Sequence, residues 1–378
     1  MNFDLTDTQQ LVQQTARDFA TKSILPQAAD IDRDEKFPFE ILKGLADLGL
    51  MAVNVPAHLG GAEAGVVAYS LAMIEVARAC ASTAVTMAVT NMVGEVIAKF
   101  GTKEQAEKHC PRLADGTYAA GAFALSEPGA GSDPGSMRTT ATRDGDSFIL
   151  NGQKMWITSG AHAGVMVVWA RTGGAGTAGI SCFLVEKDTP GLIIGKHEDK
   201  MGLRGSNTVS LTFDNCVVPA DALLGELNGG FKIAMMALDG GRIGISSQAI
   251  GIASAALDEA IVYAKDRKQF DQPIANFQAI QWMIADSRTE LDAARMLCMR
   301  AASMKERSVS FSREASMSKV YCSEVAVGIC NRAVQIHGGY GYTREFAAER
   351  HLRDVRVTTI YEGTTQVQKV VIARATLK

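Results

Sequence analysis

The spacing of apolar and polar positions changes twice along this chain. Up to about Lys108, apolar residues recur at three- and four-residue steps, as with Ile41, Leu45 and Leu48, which predicts amphipathic helices broken at FPFE, VNVPAHLGGAEAG and ARACAST. From about Tyr118 the period falls to two. In TVSLTFDNCVV, Val209, Leu211 and Phe213 share one face and Ser210 and Thr212 the other, the pattern of a half-buried strand. GVMVVWAR and ISCFLVEKD predict further strands, and FILNGQKMWIT contains Asn151-Gly152, a signal for a two-residue hairpin turn. From about Gly230 long helical patterns return, as in ANFQAIQWMIADSRTELDAARML, where Ile280, Ile284, Leu291 and Ala294 recur at helical spacing. The short breaks DRKQFDQP and HGGYGY favour antiparallel packing into a bundle. The expected order is helical (1–117), β (118–228) and helical (229–378), with no internal repeat or low-complexity linker.

A length of 378 residues exceeds one core's usual size, and 47% hydrophobic with 21% charged residues describes a folded, soluble protein. The net charge of -3, with no run of Lys and Arg, leaves no electrostatic footprint for nucleic acid. The opening MNFDLTDTQQLVQQTARDF has neither a secretory nor a transit-peptide pattern, so a cytoplasmic location is expected. Apolar stretches such as IGISSQAIGIASAAL are interrupted by Ser, Gln and Gly, and no membrane span is expected. Seven cysteines without a CxxC pair and six dispersed histidines predict reduced thiols and no metal site, and sixteen methionines read as flexible core filling.

Five segments carry candidate chemistry. FALSEPGAGSD, Phe123 to Asp133, holds a G-x-G at Gly129 and Gly131, but Pro134 replaces the third glycine and the expected surroundings are antiparallel, so a Rossmann fingerprint does not fit. The loop either offers backbone N–H groups to an anion or is only a loop. In NGQKMWITSG, Trp156 and Thr158 lie two residues apart on one face, where an aromatic plane beside a hydroxyl suits a flat heterocycle or a strand core. LDGGRIG puts Asp239 and Arg242 at an expected helix start, as an anion site or as a local ion pair. Arg267 and Gln278 flank a turn, and in QIHGGYGY a C-cap accounts for Gly338 but leaves the following Gly-Tyr-Gly for a contact across a subunit boundary. In IYEGT, Gly363 can supply an unusual backbone angle and Thr364 can cap the helix TQVQKVVIARA. Glu362 between them is either a solvated residue ahead of that helix or a general base carried on a hinge.

Taken in order and spacing, LSEPGAGSD, NGQKMWITSG, LDGGRIG, QIHGGYGY and IYEGT resemble the acyl-CoA dehydrogenase family over nearly the whole chain, with short-chain (butyryl-type) members most similar. The resemblance implies an α+β multidomain fold: an N-terminal α-helical domain, a middle β-barrel or sandwich domain and a C-terminal four-helix bundle, assembled as a homotetramer. It implies FAD, an acyl-CoA substrate and an electron-transferring flavoprotein as partner. Phe123, Leu125, Ser126, Ser132, Trp156, Ile157 and Thr158 match segments around the flavin ring. Arg267, Gln278, Gln335, Ile336, His337, Gly338, Gly339, Thr364, Thr365 and Gln366 match other FAD contacts, partly from a neighbouring subunit. Ser132, Asp239, Gly240, Gly241, Arg242 and Gly363 match acyl-CoA contacts, and Glu362 matches the base that takes the α-proton while the β-hydride passes to flavin N5. Its backbone N–H and a ribityl hydroxyl are implied as donors to the thioester oxygen. Some members carry the base at the position held here by Gly241, which has no acid to offer. Phe123 and Ser126 depart from the Tyr and Thr common in related members. A glutaryl-type enzyme would want a cation near ACASTAVTMAVTN, which has none after Arg78, so apolar acyl groups are expected. The alternatives are medium- or branched-chain dehydrogenation, a flavin oxidase, and a non-catalytic acyl-CoA-binding relative.

Overall fold

The structure, a computed structural model, describes residues 4–377. Its first part is helical: α1 (Asp7–Phe19), a π-turn (Ala20–Ile24), α2 (Ala28–Arg33), α3 (Phe39–Asp47), α4 (Val66–Ala79), α5 (Ala81–Phe100) and α6 (Lys103–Ala114). Local sequence fixes two of the starts. Thr6 with Gln9, and Thr102 with Gln105, form reciprocal capping boxes that satisfy orphan N–H groups at the starts of α1 and α6. Ile41 and Leu45 are buried on α3 as expected, whereas Leu48 lies past the helix end and is 42% exposed.

The middle part comprises β1 (Ala120–Ala124), β2 (Thr140–Asp144), β3 (Ser147–Thr158), β4 (Ala163–Arg171), β5 (Ile180–Glu186), β6 (Leu192–His197) and β7 (Thr208–Pro219). Strands β5-β4-β1 form one leaf and β2-β3-β7-β6 the other, joined by strand pairing at Thr140 and Arg171. The leaves share one core, in which Phe183 and Met166 meet Phe148, Leu150 and Leu211. Val209, Leu211 and Phe213 are buried as their alternation predicts. Two expectations need correction. Strands β1 and β4 pair in parallel, although strands rather than a helix lie between them, so no βαβ phosphate site forms. The β2–β3 hairpin turns at Gly145 (φ +57), not at Asn151-Gly152, which is a bulge inside β3. Gly152 is needed there because a β-carbon would stand 2.6 Å from the Thr139 Cα.

The last part begins with α7 (Gly230–Asp266), followed by the small β8–β9 hairpin (Lys268–Gln269 with Gln272–Pro273), α8 (Gln278–Glu306), α9 (Ser312–His337), α10 (Ala348–Val355) and α11 (Thr365–Thr376). Helix α9 packs on α7, α8, α10 and α11, giving the expected bundle, and α4 and α5 pack on α7 from outside it. Helices α5 and α7 are long and apolar enough to span a membrane, but their most apolar windows are 89% and 78% buried within the protein, as core helices are. Burying α7 against both helical parts is what brings its first third to the residues described next.

Candidate functional site

After α10 the chain makes one 3₁₀ turn and then places Glu362 (φ +54) and Gly363 (φ +87) consecutively in the left-handed region. For glutamate this costs about 1–3 kcal/mol, so the surroundings must hold it. Gln368 donates to the carbonyls of Glu362 (3.0 Å) and Gly363 (3.1 Å), and Lys319 donates to that of Gly363 (2.8 Å). Thr364 caps α11 as its sequence predicts, accepting from the Val367 N–H. Tyr361 donates its hydroxyl to Gln248 on α7, and Thr365 is buried and donates to Glu324 at 2.7 Å. Gln366 is exposed.

Amid these ties the Glu362 carboxylate itself is unpartnered: its Oε2 is buried with no hydrogen bond among the described residues. Burial pushes its pKa up to about 7, against the opposing pull of Arg242 and Lys319. Glu362 as a whole keeps partial exposure, but this oxygen faces the protein interior, which favours the hinge-borne base over a fully solvated residue.

Opposite Glu362 stands the first third of α7. A β-carbon on Gly241 would lie 2.6 Å from Glu362 Oε2 and 3.1 Å from the Met92 sulfur. Asp239 and Arg242 are not at the helix start but roughly two and a half turns inside it, so the helix dipole contributes little there. Instead they pair with each other at 2.5 Å, with Ser312 donating to Asp239 (2.9 Å) and Arg242 to Ser316 (3.2 Å). Burial raises the Asp239 carboxyl, opposed by Arg242. Arg242 is 5% exposed, and its Nε lacks a partner among the described residues. A cleft of about 420 Å³ is lined by Tyr69, Met92, Glu95, Asp239, Gly240 and Gly241, with Lys305 beside Gly240. Gly241→Ala is expected to fold and keep its cofactor but displace the carboxylate, lowering kcat/KM by about 10²-fold in steady-state assays.

The β unit presents a second surface. Trp156 has φ +64 and is 59% exposed, with Ile157 buried and Thr158 half-buried beside it. It is thus not a core residue, and an exposed aromatic in a strained conformation needs another reason. Phe123 on β1 packs on Trp169, ring centroids 4.3 Å apart, and the Ser126 carbonyl accepts from Met155 N–H at 2.9 Å. Ser132 is exposed, and β-carbons at Gly129 and Gly131 would meet nothing within 4 Å.

A pair overlooked in the sequence fixes this surface. Lys154, fully buried, donates to Glu127 (2.8 Å) and to the Leu125 carbonyl (3.2 Å). Glu127 also accepts from the Arg138 and Thr139 N–H groups. Burial lowers Lys154 to about 8 against the pull of Glu127, whereas Glu127, although burial would raise it, is held below its usual range by Lys154 and these donors.

A third group gathers at the end of α9. Arg267, Ile336, His337, Gly338 and Gly339 line a cavity of about 460 Å³, with His337 stacked on Tyr263 at 4.4 Å and Gly338 (φ +60) ending the helix. Arg267 lies over the Tyr340 ring, and Gln278 and Gln335 are exposed. The rise along α9 from Lys319 to His337 is roughly 27 Å. Within one chain, then, this group is remote from Glu362, whereas Gly241, Arg242 and Gly363 adjoin it and Asp239 and Gly240 line the neighbouring cleft. Lys319 and Gln368 were also missed. The signal for Lys319 was present: it shares a helical stripe with buried Ala315, Cys322 and Ala326, where a solvated lysine does not belong.

Sequence comparison matches the N-terminal, middle and C-terminal domain models of acyl-CoA dehydrogenases to residues 6–117, 122–216 and 228–377. The chain is 50% identical to the mitochondrial short-chain specific acyl-CoA dehydrogenase of Bos taurus, covering 99% of this chain and 91% of that one. Among solved structures, butyryl-CoA dehydrogenase from Megasphaera elsdenii superposes with a TM-score of 0.98 at 42% identity, covering 100% of both chains. The same values hold for a chain in a structure described as an electron transferring flavoprotein of Acidaminococcus fermentans. With three matching domains in order and full-length relatives at this identity, the chain belongs to the acyl-CoA dehydrogenase family of FAD-dependent oxidoreductases.

Proposed function

We propose that this protein dehydrogenates a short-chain acyl-CoA to its trans-2-enoyl-CoA, with Glu362 as the base that removes the α-proton. The observation carrying this reading is the buried, unpartnered Glu362 Oε2 facing the side-chain-free surface of Gly241. A carboxylate lifted to about 7 is matched to proton abstraction near neutrality, where a solvated glutamate would be a far weaker base. The Glu362 backbone N–H is the proposed donor to the thioester oxygen as charge develops on it. Asp239, Gly240 and Arg242 on α7, with Ser132 and Gly363, are the proposed contacts to the acyl-CoA. The buried Arg242 Nε without a partner fits a site that acquires one from its ligand.

The residues fit FAD. The exposed Trp156 plane with Thr158 beside it, close to Phe123, Leu125 and Ser126, suits a flat ring, and the open Gly338–Gly339 surface beside Arg267 suits an adenosine with its phosphates. Gln278, Gln335, Thr364, Thr365 and Gln366 complete the proposed contacts. When bound, FAD supplies the two-electron acceptor for the hydrogen leaving Cβ. Because the α9 end is remote from Glu362, that group is proposed to serve a neighbouring chain within a proposed homotetramer. Electron-transferring flavoprotein is the proposed electron partner, supported by the likeness to the Acidaminococcus chain.

The pH dependence follows in sign. Glu362 must be deprotonated to act, and its pKa is raised to about 7, so kcat/KM should fall as pH drops through 7 rather than through the ordinary glutamate range. Initial rates from pH 5.5 to 8.5 would check this. The reaction itself is tested by incubating the holoenzyme with butyryl-CoA and an artificial electron acceptor, following crotonyl-CoA. Crotonyl-CoA with little peroxide in air supports a dehydrogenase, stoichiometric peroxide an oxidase, and no product the non-catalytic alternative.

A further inference from the structure

We propose that Lys319 is a positioning residue for Glu362: with Gln368 it clamps the left-handed Glu362–Gly363 pair, and its ammonium holds the carboxylate ready to accept a proton. The proposal rests on the assignment of Glu362 as the base, but its clamp has a consequence independent of that assignment.

The geometry is specific. Lys319 and Gln368 are both fully buried, on α9 and α11, and reach the hinge from different helices. Between them they make three hydrogen bonds to two consecutive carbonyls, Glu362 O and Gly363 O. Those carbonyls belong to a backbone that glutamate does not adopt without cost, and donors fixed on two helices are the kind of support such strain requires. A lysine buried only for packing would be replaced at no cost by methionine, and nothing in packing explains why its nitrogen ends on the hinge.

The charge acts in the same place. Glu362 is faced by Arg242 from α7, Lys319 from α9, and the tyrosines Tyr69 from α4 and Tyr361 beside it. Lys319 is faced in turn by Glu362, Arg242 and Glu324. Burial lowers the lysine to about 8, with Glu362 opposing that loss, so it is still largely charged near neutrality. Arg242 is already paired with Asp239. Lys319, whose hydrogen bond goes to a neutral carbonyl, leaves its charge to act on Glu362.

Two variants of the FAD-loaded protein test this. Lys319→Met removes donor and charge, and Lys319→Gln keeps a donor without charge. Hydrogen exchange of the peptide spanning Ile360 to Val371 should be at least about tenfold faster in Lys319→Met, with Lys319→Gln nearer wild type. The acid limb of kcat/KM for butyryl-CoA should move up by about one pH unit in both, while kcat falls further in Lys319→Met. Wild-type exchange and an unmoved pH profile in Lys319→Met would overturn the proposal. Faster exchange with an unmoved profile would overturn the electrostatic part. If Glu362 is not the base, the exchange difference persists without any pH effect, and Glu362→Gln then retains turnover, which separates that failure from failure of the clamp. A Lys319→Met protein that does not fold leaves Lys319→Gln to decide the charge, and Gln368→Met the clamp by the same exchange measurement.

Discussion

Glu362→Gln is expected to lower turnover of butyryl-CoA by about 10²- to 10⁴-fold while leaving the protein folded and yellow. The substitution keeps volume, and the carbonyls of the strained pair remain held by Gln368 and Lys319, so the hinge should persist. What is lost is the carboxylate that faces Gly241 and can take a proton. An amide also removes the electrostatic cost of a carboxylate buried without a hydrogen-bond partner, so the variant should be no less stable than wild type, and thioester affinity should be retained. Flavin absorbance, thermal denaturation and steady-state kinetics together check this. Near-normal turnover would remove Glu362 from the mechanism.

Lys154→Met is expected to be destabilising, by about 3–5 kcal/mol, because it strands the buried Glu127 carboxylate without its cation. Glu127 is 6% exposed and Lys154 fully buried, so water cannot take over. The damage should spread to function. Glu127 ties the backbone of Arg138 and Thr139 to the segment after β1, and Lys154 holds the Leu125 carbonyl, so losing the pair loosens the surface that carries Ser126 and Trp156. Lower thermal midpoint and weaker flavin retention should appear together. Adding Glu127→Gln should restore much of the stability, since removing both charges is far less costly than removing one. A single Lys154→Met variant that melts with wild type would show that the pair contributes nothing.

Periodicity made the helical, β, helical order legible, because single-face burial repeats at 3.6 or 2 residues whatever the topology. The alternation of Val209, Leu211 and Phe213 carried directly into β7. Turn chemistry was less reliable. Asn151-Gly152 reads as a hairpin, yet its glycine answers the close approach of Thr139, a contact between strands that no local pattern encodes. The position of Asp239 and Arg242 was misjudged for a similar reason: Gly240-Gly241 looks like a helix start, but both glycines lie inside α7 and leave room for Lys305 and Glu362. Glu362 itself could be named from its motif, whereas its burial could not, because Arg242 and Lys319 reach it from two other helices. The Glu127–Lys154 pair stayed hidden because its members are far apart in sequence and meet only through the β1–β3 packing.

The most direct test of the central claim is an anaerobic titration of the purified, flavin-loaded protein with butyryl-, isobutyryl-, isovaleryl- and octanoyl-CoA, following the flavin absorption band. The account predicts bleaching at about one equivalent of a short-chain thioester, butyryl-CoA ahead of octanoyl-CoA, with the matching enoyl-CoA recovered. A bound flavin that no acyl-CoA bleaches would contradict it.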